Sequence, residues 1–209
     1  MLFNNWKENL QPLIDKYKDK KHPLAYDNLY ELLIMVILSA QDSDAKINKV
    51  KINFFEKYPN IKSLSKASAS EVNNYISTVT NYKNKSNWIY ETANMIISDD
   101  KIPTNLDNLI KLKGVGRKSA NVILKEINQK SEGIIVDLHV IRVVPRIGLA
   151  PTYNDGNKIE KLLMQQLPYE IWNDIGMSFS FLGREICRPT NPKCNICPVN
   201  THCNYFNNL

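Results

Sequence analysis

Glycine is scarce in this chain, seven residues in 209, and cysteine is absent until position 187. With little glycine, and with β-branched residues that rarely alternate with polar ones, the sequence offers few strand or hairpin signals and reads as mostly helical. It also lacks a membrane-length apolar run. The longest, Leu29 to Leu38, is broken by Glu31 and flanked by polar residues, too short to span a bilayer. Met1 to Gln11 holds charge and asparagine but no apolar core, so no secretory leader is expected. These absences exclude a membrane partner and point to the cytoplasm.

What is present is an ordinary soluble composition, 43% apolar and 23% charged, on a chain long enough for one domain or two intimate ones. Lysine and arginine number 27 against 21 acidic residues, a net charge of +6 and a pI near 9.0. That excess suggests a polyanionic partner, although many lysine-rich surfaces serve only solubility.

Helical spacing organises most of the chain. Trp6, Leu10, Leu13, Ile14 and Tyr17 share one face of a first helix. Asp27 to Ala40, apolar nearly all round, predicts a central buried helix, and Gln41-Asp42-Ser43-Asp44 a turn with a new cap. Ile47, Val50, Phe54 and Phe55 mark the next helix, and Ser68-Ala69-Ser70-Glu71 is a capping-box pattern opening another. Thr78 to Lys85 reads as a polar loop before a helix carrying Ile89, Ala93, Ile96 and Ile97. Thr104 is placed to cap the helix beyond. Ile134-Ile135-Val136 reads as a short strand-like lead into Asp137, and Pro145 should kink or shorten the helix that follows. Ile159 to Leu167 and Ile171 to Leu182 predict two more amphipathic helices.

Two segments carry chemistry. Leu112 to Asn121 reads helix, Gly114-Val115-Gly116 turn, helix. Such a turn lets backbone amides approach an anion at a helix N-terminus, while Arg117 and Lys118 occupy the first turn, where the dipole disfavours cations. Alone, this is equally an αα-hairpin with two surface charges. The four cysteines fall in the last 23 residues, spaced Cys187-x6-Cys194-x2-Cys197-x5-Cys203. A disulfide framework is out of place in a chain with core enough to fold unaided. One C-x2-C pair does not match paired zinc knuckles, nor the bacterial ferredoxin run, and a [4Fe–4S] centre is favoured over structural zinc or unligated thiols.

Taken together, Leu38-Ser39-Ala40-Gln41, the hairpin Leu112 to Asn121, Val136-Asp137-Leu138-His139 and the cysteine loop resemble the endonuclease III family of bifunctional DNA glycosylases, in the helix-hairpin-helix superfamily. The resemblance covers nearly the whole chain. It implies an all-α, two-lobed fold: a six-helix lobe over residues 24–130, and a second lobe from residues 1–23 plus 131–209 bearing a [4Fe–4S] cluster loop at 187–203, with DNA held between them. It implies a monomer acting on double-stranded DNA with damaged bases or abasic sites, cytoplasmic and nucleoid-associated. The family pattern makes Lys118 the nucleophile and Asp137 the essential carboxylate, and Cys187, Cys194, Cys197 and Cys203 the cluster ligands. A free lysine titrates near 10.4, so such a nucleophile needs surroundings that disfavour its cation; a helix N-terminus and Arg117 act in that direction. Asp137 can also be a helix cap, and His139 reads as a structural hydrogen-bonder. DNA contacts are implied for Gly114, Val115, Gly116, Arg117, His139 and Arg188, with Gln41 entering near a vacated stack.

Two positions depart from the pattern. Where the family has an apolar wedge in a Gly-Leu-Tyr or Gly-Leu-Phe loop, this chain has Val79-Thr80-Asn81-Tyr82, so Asn81 replaces the leucine. Asp42 puts an acid beside Gln41 where a small residue is common. Base excision of oxidised pyrimidines followed by β-elimination is the expected activity. A mismatch-directed adenine or thymine glycosylase is the alternative within the fold. Lys118 argues against it, as does a chain ending six residues after Cys203, with no room for an added recognition domain. A non-catalytic iron–sulfur DNA-binding module is the alternative from another class.

Overall fold

The computed structural model describes residues 5–209, so the first four residues of the expected N-terminal lobe segment lie outside the described residues. Among the described residues there is no strand. The chain divides into two compact units, Lys21–Gln129, and Met1–Lys20 with Lys130–Leu209.

In the first of these, α2 (Leu29–Ser39) is the central element. Its residues Tyr30 to Leu38 are all buried, and α3 (Asp44–Lys57), α6 (Tyr82–Ile96) and α8 (Arg117–Glu126) pack around it. Glu31 interrupts the apolar run without being stranded: it accepts from the amide of Asp27 and pairs with Lys51 at 3.2 Å. Caps fall where short polar side chains precede apolar periods. Asn28 accepts from the Glu31 amide, Ser43 from that of Lys46, and Ser68 with Glu71 forms a reciprocal capping box on α5 (Ala69–Ile76). The short helices α4 (Ile61–Leu64) and α7 (Leu106–Leu109) complete this unit.

The second unit is built on α11 (Trp172–Glu185), which packs against α9 (Leu138–Ile147) and α1 (Trp6–Tyr17). Tyr17 stacks on Phe181 and donates to Glu185, tying the N-terminal helix down. The helix α10 (Gly156–Gln166) and the short α12 (Asn204–Asn207) lie against α9.

Four sequence expectations are corrected. Thr78 to Lys85 is not all loop: α6 begins at Tyr82, and Lys85 is a buried helical residue because acceptors surround its ammonium. Asn105 rather than Thr104 caps α7, since its carboxamide reaches the Asn108 amide. Ile134 to Val136 is buried chain without strand pairing. Pro145 does not shorten α9, which runs two residues beyond it and stops at Gly148, φ 101°. One missing donor in the last turn is tolerable there, because the helix is about to end.

Close packing of α11 depends on small residues. A Cβ added to Gly176 would lie 2.6 Å from the Ile135 carbonyl oxygen, and one on Gly183 would lie 2.8 Å from the His139 Cβ. Gly176→Ala must therefore move backbone, at a cost of about 1–3 kcal/mol, visible as a several-degree fall in Tm. An unchanged Tm would show that the approach is not tight.

Candidate functional site

The hairpin turn is set by Gly114. Its φ of +80° is one that a residue with a side chain rarely adopts, and an added Cβ would lie 2.7 Å from Trp88. Val115 turns its side chain into the core, 4% exposed, and its amide donates to the Leu112 carbonyl, so it anchors the turn. Among the described residues neither the Gly114 nor the Gly116 amide donates to a backbone carbonyl. Gly116 is the N-cap of α8, and the first-turn amides of that helix point the same way, an arrangement that suits an oxyanion. Lys118 is exposed on this first turn, and its ammonium has no hydrogen-bond or ion-pair partner among the described residues. Arg117 is partly buried.

Asp137 caps α9 with one oxygen. Oδ1 accepts from the amides of His139 (2.8 Å) and Val140 (2.9 Å). Oδ2 accepts the Ser180 hydroxyl at 2.5 Å and lies 3.9 Å from the Arg184 guanidinium. Both oxygens of one carboxylate are thereby oriented. The sequence reading assigned no role to Ser180, which is fully buried on α11 between Gly176 and Gly183. The signal was available as small residues at i, i+4 and i+7 on one helix face. His139 Nδ1 lies 3.2 Å from Arg142 Nη2, a structural contact, and Leu138, between Asp137 and His139, is 80% exposed.

The four cysteines are free thiols. Burial first, then the charge of the neighbouring cysteines, raises the Cys194 thiol and pushes that of Cys197 up to about 11, with the Val199 amide opposing at Cys197. Cys194 and Cys197 thus both feel the charge of Cys187 and Cys203. Among the described residues no three His, Cys, Asp or Glu side chains converge as for a single metal ion. The loop is fastened to α9 by two arginines. Arg142 donates to the carbonyls of Cys187 and Gly183, and Arg146 to those of Arg188 (2.7 Å) and Pro189 while approaching Cys187 Sγ at 3.5 Å. Arg188 is itself exposed, with its carbonyl engaged by Arg146.

Gln41 and Asn81 are both exposed and both left-handed, φ 62° and 58°. Asn81 Oδ1 accepts from Asn84. Asp42 is turned away from solvent, its side chain 3% exposed. It accepts from Lys46 Nζ (2.6 Å), the Thr80 amide (2.7 Å) and hydroxyl (2.9 Å), and Lys85 Nζ (3.2 Å). Lys85, 1% exposed, also donates to the carbonyls of Leu38 (2.7 Å) and Ala40 (2.5 Å). Burial pulls the Lys85 ammonium down while Asp42 holds it up.

Residues 34–169 match the family described as HhH-GPD superfamily base excision DNA repair protein. Endonuclease III of Bacillus subtilis (strain 168) is 34% identical over 93% of this chain and 89% of its own length. Two solved structures share 33% identity. A trapped endonuclease III–DNA covalent intermediate has a TM-score of 0.84 over 96% of this chain and 94% of that one. A non-covalent endonuclease III–DNA complex has 0.82 over 95% and 94%.

Burial would raise the Asp42 carboxyl, but the bonds from Lys46, Thr80 and Lys85 outweigh it and hold the group at about 2, against an ordinary 3.8. A value lowered on folding stabilises above the unfolded pKa and is lost as pH falls through the folded one. Asp42 therefore contributes about 2 kcal/mol above roughly pH 4, fading toward pH 2. Urea melts of the wild type and Asp42→Asn should differ at pH 6 and converge near pH 2; a constant gap would refute this. The hairpin, the capped carboxylate, the cysteine loop and the likeness along nearly the whole chain agree: this protein belongs to the endonuclease III family within the HhH-GPD superfamily of base excision DNA repair proteins.

Proposed function

We propose that the chain is a DNA glycosylase with AP-lyase activity, in which Lys118 is the nucleophile and Asp137 the carboxylate that steadies charge on the sugar. The observation that carries this reading is Lys118, an exposed amine without a partner among the described residues, in the first helical turn after the Gly114–Gly116 turn, in a chain similar to an endonuclease III trapped covalently on DNA. The substrate is double-stranded DNA bearing an oxidised pyrimidine or an abasic site, and the protein acts as a cytoplasmic, nucleoid-associated monomer.

Binding uses the amides around Gly114 and Gly116 for a backbone phosphate, which gives affinity without reading sequence. Arg117 and Arg188 add positive charge. The target nucleotide leaves the stack, with Gln41 and Asn81 at the gap. As the N-glycosidic bond breaks, positive charge builds on the sugar and the oriented Asp137 carboxylate stabilises it. The uncharged Lys118 amine forms a bond to C1′, and the base departs with the electron pair of the broken bond. Ring opening gives a Schiff base. Loss of a C2′ proton then breaks the 3′ C–O bond and expels the phosphate, nicking the strand.

The cysteine loop suits a [4Fe–4S] cluster held by Cys187, Cys194, Cys197 and Cys203, since the charge of Cys187 and Cys203 disfavours thiolates at Cys194 and Cys197 and a cationic centre would relieve it. When bound, the cluster supplies four iron–thiolate bonds that fix the loop. Arg142 and Arg146 then carry that rigidity to α9.

Three results test the assignment. Lys118→Gln should abolish nicking of an abasic duplex while keeping salt-dependent binding, with a log–log slope of about −0.9 per phosphate contacted. Nicking that survives would refute the nucleophile. Asp137→Asn should lower base excision by about 10²-fold or more. Purified protein should be brown and lose its colour with Cys197→Ser, whereas colourless protein with stoichiometric zinc would replace the cluster by a single ion.

A further inference from the structure

Asp42 and Asn81 are the residues at which this chain departs from its relatives' pattern, and their surroundings join them. The turn at 39–43 and the turn at 77–81 lie about forty residues apart in the sequence, in the same unit. No backbone hydrogen bond links them among the described residues. The Asp42 carboxylate joins them. Oδ2 accepts the Thr80 amide and Oδ1 the Thr80 hydroxyl, so one side chain grips both the backbone and the side chain of the opposite turn. Lys46 Nζ, 2.6 Å from Oδ1, also reaches the Thr80 hydroxyl at 3.4 Å.

Beneath this pair, Lys85 Nζ bonds the carbonyls of Leu38, in the last turn of α2, and of Ala40, just beyond it, and reaches Asp42 Oδ2. The ammonium thus ties the end of α2 to the carboxylate. A glycine at position 80 would supply the amide but not the hydroxyl. Threonine and aspartate therefore form one device.

The residues adjoining this clasp are Gln41, one before Asp42, and Asn81, one after Thr80. Both hold left-handed backbone, a conformation costly for side-chain-bearing residues and kept only where the surroundings impose it. Charge-assisted bonds to a buried carboxylate are strong enough to impose it. Two exposed polar side chains fixed in advance lose less freedom when they enter DNA than two on mobile loops.

We propose that Asp42, through Thr80 and Lys85, is a positioning residue that locks Gln41 and Asn81 into one pre-formed polar wedge for duplex DNA. The inference rests on the reading of Gln41 and Asn81 as DNA-contacting residues. The acid beside Gln41 is thus a support for the wedge and never meets the bases. Asp42 touches no reacting atom, so chemistry on an abasic site that has no opposing strand does not depend on it.

The test compares wild type, Asp42→Ala, Thr80→Val and the double variant. One substrate is a duplex with a tetrahydrofuran abasic analogue opposite 2-aminopurine, whose fluorescence reports invasion of the stack. The other is a single-stranded abasic oligonucleotide, scored by nicking. Losing a charge-assisted clasp should slow the fluorescence change about tenfold in Asp42→Ala, and less in Thr80→Val. The double variant should match Asp42→Ala, because Thr80 acts through Asp42. Single-strand nicking should stay within about twofold of wild type. Duplex signals unchanged in folded variants would overturn the clasp, as would equal losses on both substrates, which mark a general structural role. If Asp42→Ala does not fold by circular dichroism, Thr80→Val, which keeps the Asp42–Lys85 pair, decides alone. Wild type inactive on both substrates would instead refute the enzymatic reading on which the inference stands.

Discussion

The carboxylate of Asp137 is bound at both oxygens, and much of its unit follows from that requirement. Oδ1 is committed to the α9 amides, and Oδ2 receives a hydroxyl from a different helix. A serine side chain is short, so α11 must come very near the start of α9, and it can do so only because Gly176 and Gly183 leave room for Ile135 and His139. The same α11 then leads directly into Cys187, and α9 returns the connection through Arg142 and Arg146. One tight helix pair thus orients the carboxylate and holds the cysteine loop. A cavity or a clash at that contact would disturb both.

The other unit solves a different electrostatic problem. Burying an ammonium is costly unless its donors are met, and Lys85 meets two carbonyls and a carboxylate. Lys118 is its opposite, an exposed amine that no acceptor among the described residues claims. The contrast is informative. A lysine held by three acceptors builds structure, whereas one left available on a helix N-terminus can enter chemistry. Removing either partner of the Asp42–Lys85 pair would strand the other charge in the interior, which is why the two must be kept together.

Much of this was legible in the sequence where the signal is local. Caps at Ser43, Ser68 and Asp137 follow from short polar side chains before apolar periods, and the core of α2 from its unbroken apolar face. The Gly114 turn was legible because few residues can take its backbone angle. What escaped was set by contacts distant in sequence. Lys83 and Lys85 look alike as letters, yet one is exposed and the other buried, because only Lys85 faces the carbonyl end of α2. Asp42 read as an acid beside a DNA contact, since nothing local shows that its partners lie at Thr80 and Lys85. Ser180 was hidden within an apolar helix, its role defined by a carboxylate 43 residues earlier.

The central claim is that the exposed hairpin lysine forms the bond to DNA. Borohydride reduction of wild-type protein on an abasic duplex, followed by proteolysis and mass spectrometry, tests it most directly. The account predicts the sugar remnant on Lys118 Nζ. A remnant on another lysine, or on the terminal amine, would contradict it.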